Sequence, residues 1–94
     1  MQPDRTPSAA TSYRKRPVVI EARQIGNDYD EDVDIMHWCG GDPTDEGGGL
    51  FYLETLEGRM LARPDDWIVK GVQGEFYPVK PGIFEESYEE VEAP

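Results

Sequence analysis

Ninety-four residues carrying 9 Lys and Arg against 20 Asp and Glu, a net charge of −11, with 37% hydrophobic side chains, describe one small acidic domain with a modest core and no room for a second. No apolar stretch comes near the about 20 residues of a membrane-spanning helix, and the polar N-terminal residues set the expectation of a chain without a secretory signal. The single cysteine, Cys39, leaves no intramolecular disulfide, which fits a reducing compartment such as a cytoplasm.

Residues 1–12 hold two prolines and small polar side chains, the make-up of a flexible arm, so the folded domain is expected over 13–94. The stretch 1–23 has five basic residues against Asp4 and Glu21, a local charge of +3 that leaves −14 on the remainder. Such a body repels duplex phosphates, and direct nucleic-acid contact is favoured nowhere except at the Arg14-Lys15-Arg16 patch.

From Pro17 the chain alternates. Val18, Ile20 and Ala22 fall on one face and Val19, Glu21 and Arg23 on the other, which predicts a β-strand running to Ile25 with one face buried. Pro17 has no N–H to give a ladder and belongs at the strand's start or on a sheet edge. After the turn Gly26-Asn27-Asp28, Asp30 is placed to cap a helix over 31–39 that stops at Gly40-Gly41. Val33, Met36 and His37, and Ile35, Trp38 and Cys39, stand at helical spacings, and the acids Asp30 to Asp34 suit the first turns.

Residues 42–49 read as loop. Gly47-Gly48-Gly49 lacks a following Gly-Lys-Ser/Thr, and a strand comes next, so the glycines are a connector rather than a phosphate cradle. Strands are expected at 50–55, 59–62, 67–71 and 75–79, separated by the turns Leu56-Glu57-Gly58, Arg63-Pro64-Asp65-Asp66 and Val72-Gln73-Gly74. Residues 80–86 form a helical turn, and 87–91 a short last strand or extended tail. The short connections make the pairing antiparallel. The expected fold is therefore α+β: a single small domain with a curved antiparallel meander packed with one short α-helix and a C-terminal helical turn.

The stretches Thr55-Leu56-Glu57-Gly58, Arg63-Pro64-Asp65-Asp66-Trp67-Ile68-Val69-Lys70-Gly71, Gly74-Glu75-Phe76-Tyr77-Pro78 and Lys80-Pro81-Gly82-Ile83-Phe84 resemble a family of small proteins encoded by bacteriophages and prophages and often named for a Pro-Gly-Asp-Tyr-Gly-like motif. The resemblance extends back through 13–22 and leaves out the arm and the Gly-rich loop. It implies an origin, not an activity. Asp65 stands where the family motif has Gly, and Trp67 where it has Tyr. The first change calls for a type I turn or for an Asp held in the left-handed region.

Little in the chain points to catalysis. His37 and Cys39 stand two apart on a helix and project about 200° away from each other, so they neither share a metal nor form a nucleophile–base pair. The acids of 30–34, the pair Asp65-Asp66 and the pair Glu89-Glu90 lack the spacing of a calcium loop, and capping and turn roles account for Asp30, Asp65 and Asp66. No catalytic residue, metal ligand set or cofactor is expected.

The richest stretch for recognition is 67–84, where Trp67, Phe76, Tyr77 and Phe84 lie among Lys70, Glu75 and Lys80. Aromatic side chains flanked by lysine make binding hot spots. The candidate binding residues are Trp67, Lys70, Tyr77 and Lys80, with Asp65 and Asp66 in the adjoining turn and Arg14, Lys15 and Arg16 as an auxiliary basic patch. The expected function is that of a non-catalytic bacteriophage accessory protein binding a host or phage protein. Two other readings stay open. In one, Lys70 and Lys80 hold the phosphate of a nucleotide-like ligand whose base stacks on Trp67 or Tyr77. In the other, the acidic body mimics DNA. A core this small also makes homodimerisation an economical source of stability.

Overall fold

Asp28, not Asp30, opens the helix. In the computed structural model, which describes residues 10–46 and 49–92, the Asp28 carboxylate accepts the N–H groups of Asp30 at 3.0 Å and Glu31 at 3.2 Å. Helix α1 (Tyr29–Cys39) therefore starts two residues before the expected position. Asp32 reaches back to accept the Gly26 N–H at 2.9 Å and pins the preceding turn. Gly40 closes the helix in the left-handed region, φ 70°, and the Gly41 N–H returns to the Met36 carbonyl at 2.8 Å, as glycine permits and a branched side chain would not.

Around α1 the described residues form six strands: β1 (Glu21–Gln24), β2 (Asp42–Pro43), β3 (Phe51–Thr55), β4 (Gly58–Ala62), β5 (Trp67–Lys70) and β6 (Phe76–Val79). They make two open antiparallel sheets of three strands, ordered β1-β5-β6 and β2-β3-β4. The α+β class and the antiparallel pairing are as expected, with the strands divided between two sheets where a single curved one was anticipated. Strand β6 packs against β3 and β4. The expected arm lies mostly outside the described residues, as do Gly47 and Gly48 of the loop.

Strand β1 is shorter than its alternation suggests. Its ladder on β5 begins at Glu21 opposite Lys70 and ends at Gln24 opposite Trp67. Beyond Lys70 the Gly71 N–H turns inward to the Glu75 carbonyl at 2.7 Å, so β5 stops and Val18, Val19 and Ile20 find no ladder partner. The other end is fastened firmly: the Ile25 N–H donates to the Asp66 carbonyl at 2.9 Å, and the Asp65 N–H to the Ile25 carbonyl at 2.8 Å. Residues 87–91, expected as a strand or a tail, form no strand.

The two faces of the β1-β5-β6 sheet are used differently. One carries Ile68 into a core with Ile25, Ile35, Cys39, Phe51, Leu53 and Ala62, against which Met36, Trp38 and Phe76 pack. Burying these side chains contributes on the order of 1.5 to 3 kcal/mol each. The other face carries Trp67, Val69, Tyr77 and Val79, since Trp67 stands opposite Val79 and Val69 opposite Tyr77. It is covered by helix α2 (Pro81–Ser87).

Candidate functional site

Helix α2 spans only seven residues and has no side-chain cap, although Pro81 fits its first turn. A helix this short is unstable alone. It is held by a stack of rings: Phe84 lies flat on Trp67, centroids 4.1 Å apart and planes within 7°, and Tyr88 lies over Phe84 at 4.9 Å. The Tyr88 N–H donates to the Phe84 carbonyl at 2.9 Å and fixes the chain as the helix ends. Tyr88 is also hydrogen-bonded to Tyr77, whose hydroxyl is pushed up to about 12, first by burial and then by that bond and the neighbouring charges of Tyr88 and Glu75.

Trp67, Phe84 and Tyr88 line a groove of about 380 Å³ together with Val18, Val19 and Ile20, and Glu89 and Glu90 also border it. Val18 is 51% exposed and Val19 75%. The Trp67 Nε1–H is shut off from solvent and has no acceptor among the described residues. A buried indole donor without a partner costs on the order of 1 to 3 kcal/mol.

Of the residues expected to act together, the structure joins some and separates others. Trp67 and Tyr77 share the α2 face. Lys70 projects to the opposite face, where its Nζ lies 6.0 Å from the centre of the Phe76 ring, and Phe76 meets Trp38 edge to face at 5.0 Å. Lys80 is committed to the Asp66 carboxylate, with Nζ 3.3 Å from Oδ1. Asp66 is a buried structural group: its side chain also accepts the Arg63 N–H at 3.0 Å. Asp65 sits at φ 76°, the left-handed conformation that glycine takes freely, at the third position of a turn closed by the Asp66 N–H on the Arg63 carbonyl at 3.1 Å. Arg14, Lys15 and Arg16 are exposed and have no ion pair among the described residues.

Sequence reasoning missed Tyr88 and the pair Val18-Val19. The aromatic residue four places after Phe84 was a signal for the first, because the i, i+4 spacing continues the face of α2. A wider depression of about 530 Å³ lies between α1 and β3, bordered by Tyr29, Met36, Leu50 and Phe51, and Thr44 Oγ1 is buried and unpartnered in the loop beside it.

His37 is exposed, whereas Cys39 is buried and its thiol is raised to about 11, chiefly by that burial. Among the described residues no three of His, Cys, Asp and Glu stand close enough to hold a metal ion, and no helix is long and apolar enough to cross a membrane. No family model, curated protein or solved structure matches the chain.

Proposed function

We propose that this chain is a non-catalytic binding module, an accessory protein of a bacteriophage or prophage that engages a host or phage protein in the infected cell. Its recognition surface is the groove over Trp67, Phe84 and Tyr88. The observation that carries this reading is the groove lined by the Trp67–Phe84–Tyr88 ring stack and by exposed Val18 and Val19. Stacked rings facing exposed valines, with Glu89 and Glu90 at the border, suit an extended, mainly apolar segment of a protein. The phage origin rests on the sequence resemblance. A nucleotide-like ligand is less well served, because Lys70 and Lys80, its phosphate anchors, stand away from Trp67 on the other face of the sheet or paired to Asp66.

The test is capture of partners by the tagged chain from nuclease-treated extract of phage-carrying bacteria. A stoichiometric protein should be retained by Lys70→Ala and lost with Trp67→Ala and with Val19→Asp, the latter an exposed position that spares the core. Capture unaffected by both groove variants excludes the groove. A copurifying mass of a few hundred daltons in place of a protein would favour the small-ligand reading.

A further inference from the structure

The β1-β5-β6 sheet ends in β1, and among the described residues nothing pairs with the outer side of that strand. Natural edges are usually blunted by charge, bulges or brevity. Here β1 is short, and it is preceded by Val18 and Val19, both exposed, and half-buried Ile20, with Pro17 ahead of them. Such a strand is a template for another strand.

The charges on either side of this edge are complementary to each other. Before it stand Arg14, Lys15 and Arg16, without ion pairs among the described residues; after it, at the start of α1, stand Asp28, Asp30, Glu31 and Asp32. Within one chain the two groups lie at opposite ends of the strand. In an antiparallel pair of such strands the basic end of each copy meets the acidic end of the other.

We propose that two copies of this chain pair through β1, edge to edge and antiparallel about a two-fold axis, to form one six-stranded sheet ordered β6-β5-β1-β1-β5-β6. An axis perpendicular to the sheet keeps each face on its own side, so paired residues must have the same parity and the axis passes through a residue. Placed at Ile20, it sets Val18 opposite the partner's Ala22, Arg16 opposite the partner's Gln24 and Arg14 opposite the partner's Gly26. The basic triplet then adjoins the partner's Asp28, Asp30 and Glu31. Placed at Glu21, it would set the two Glu21 carboxylates against each other, which disfavours that register. This inference goes beyond the proposed function and does not depend on the groove's occupant.

Three variants test it in the full chain. Val18 and Val19 precede the intramolecular ladder, so a proline there removes an edge N–H and leaves the fold intact. Sedimentation should show a concentration-dependent dimer that salt weakens. Either Val18→Pro or Val19→Pro, whichever N–H faces the free edge, should weaken it at least about tenfold, since each change removes two symmetry-related bonds. Ile20→Cys should cross-link under mild oxidation, because paired residues in antiparallel strands lie about 4.5 to 5.5 Å apart at Cα, within disulfide reach, while the parent chain, with Cys39 buried, should not. Replacing Arg14, Lys15 and Arg16 with Glu should abolish self-association and allow pairing with a copy carrying Asp30→Lys and Glu31→Lys. A chain that stays monomeric at low salt overturns the proposal, as does a dimer that neither proline weakens and Ile20→Cys does not link.

Discussion

Phe84 lies parallel to Trp67 at 4.1 Å, and that contact couples the seven-residue helix α2 to the β1-β5-β6 sheet. Nothing in α2 is fully buried and no side chain caps it. The helix therefore owes its position to a ring stack rather than to its own propensity, and whatever displaces Phe84 also opens the groove beside Val18 and Val19.

Phe84→Ala should release α2 and expose the Trp67 indole. Half-buried ring stacking of this kind is worth about 1 to 2 kcal/mol, which for a domain of this size lowers Tm by roughly 4 to 8 °C per kcal/mol. Fluorescence in a Trp38→Phe background should shift to the red, because Trp67 is then the sole indole. An unshifted spectrum would show that α2 is anchored by other contacts.

Asp65→Gly should stabilise the fold. Asp65 holds φ 76°, a conformation that costs an L-residue on the order of 1 to 2 kcal/mol, less for Asp, and glycine nothing. Glycine gives back about 0.4 to 1 kcal/mol through the unfolded chain, so the net gain is about 0.5 kcal/mol, with Asp65→Ala destabilising by a similar amount. The bonds from the Asp65 N–H to Ile25 and from Gln24 Nε2 to the Asp65 carbonyl involve backbone atoms of Asp65 and persist in both variants. Urea midpoints decide the sign: a lower midpoint for Asp65→Gly would mean that the carboxylate itself contributes.

Asp66 and Lys80 are unequal partners, and their truncations should differ accordingly. Asp66→Ala removes a buried carboxylate and leaves the part-buried Arg63 N–H without its acceptor, and should cost about 1 to 3 kcal/mol. Lys80 is more than half exposed at its side chain, and its pairing is screened by solvent, so Lys80→Ala should cost less than about 1 kcal/mol. Equal losses in the two denaturation curves would assign the stability to the ion pair instead of to the backbone bond.

Much of the sheet was legible locally and its assembly was not. Two-residue alternation correctly separates Trp67 from Lys70 and Phe76 from Tyr77, because a strand leaves a side chain no choice of face. The commitment of Lys80 to Asp66 depends on the β5–β6 register, with Trp67 opposite Val79, which no local pattern reports. The helix cap was misplaced because Asp28 and Asp30 both qualify, and only the turn pinned by Asp32 on the Gly26 N–H selects the first. The two-residue strand β2 exists because β3 offers it an edge, and its Asp-Pro sequence reads as loop. Strand β1 was overextended because its length is set by β5, more than forty residues away in the chain.

Alkaline pH should unfold the protein earlier than its charge alone dictates. Burial raises the Cys39 thiol from 9.0 to about 11, and burial with the Tyr88 bond raises Tyr77 from 10.0 to about 12. Both groups are neutral below pH 9 in either state, so their favourable burial is fully present there. Between pH 9 and 11 for the thiol, and between 10 and 12 for the phenol, the unfolded chain has lost the proton that the folded chain keeps. The unfolded state then binds fewer protons, and stability falls as pH rises. Urea midpoints measured from pH 8 to 11 should decline, and Cys39→Ala with Tyr77→Phe should flatten the decline without removing the part due to general repulsion at high negative charge. Equal slopes in the parent and the double variant would show that neither group holds its proton on folding. The same burial predicts that thiol reagents label Cys39 only as fast as the domain opens.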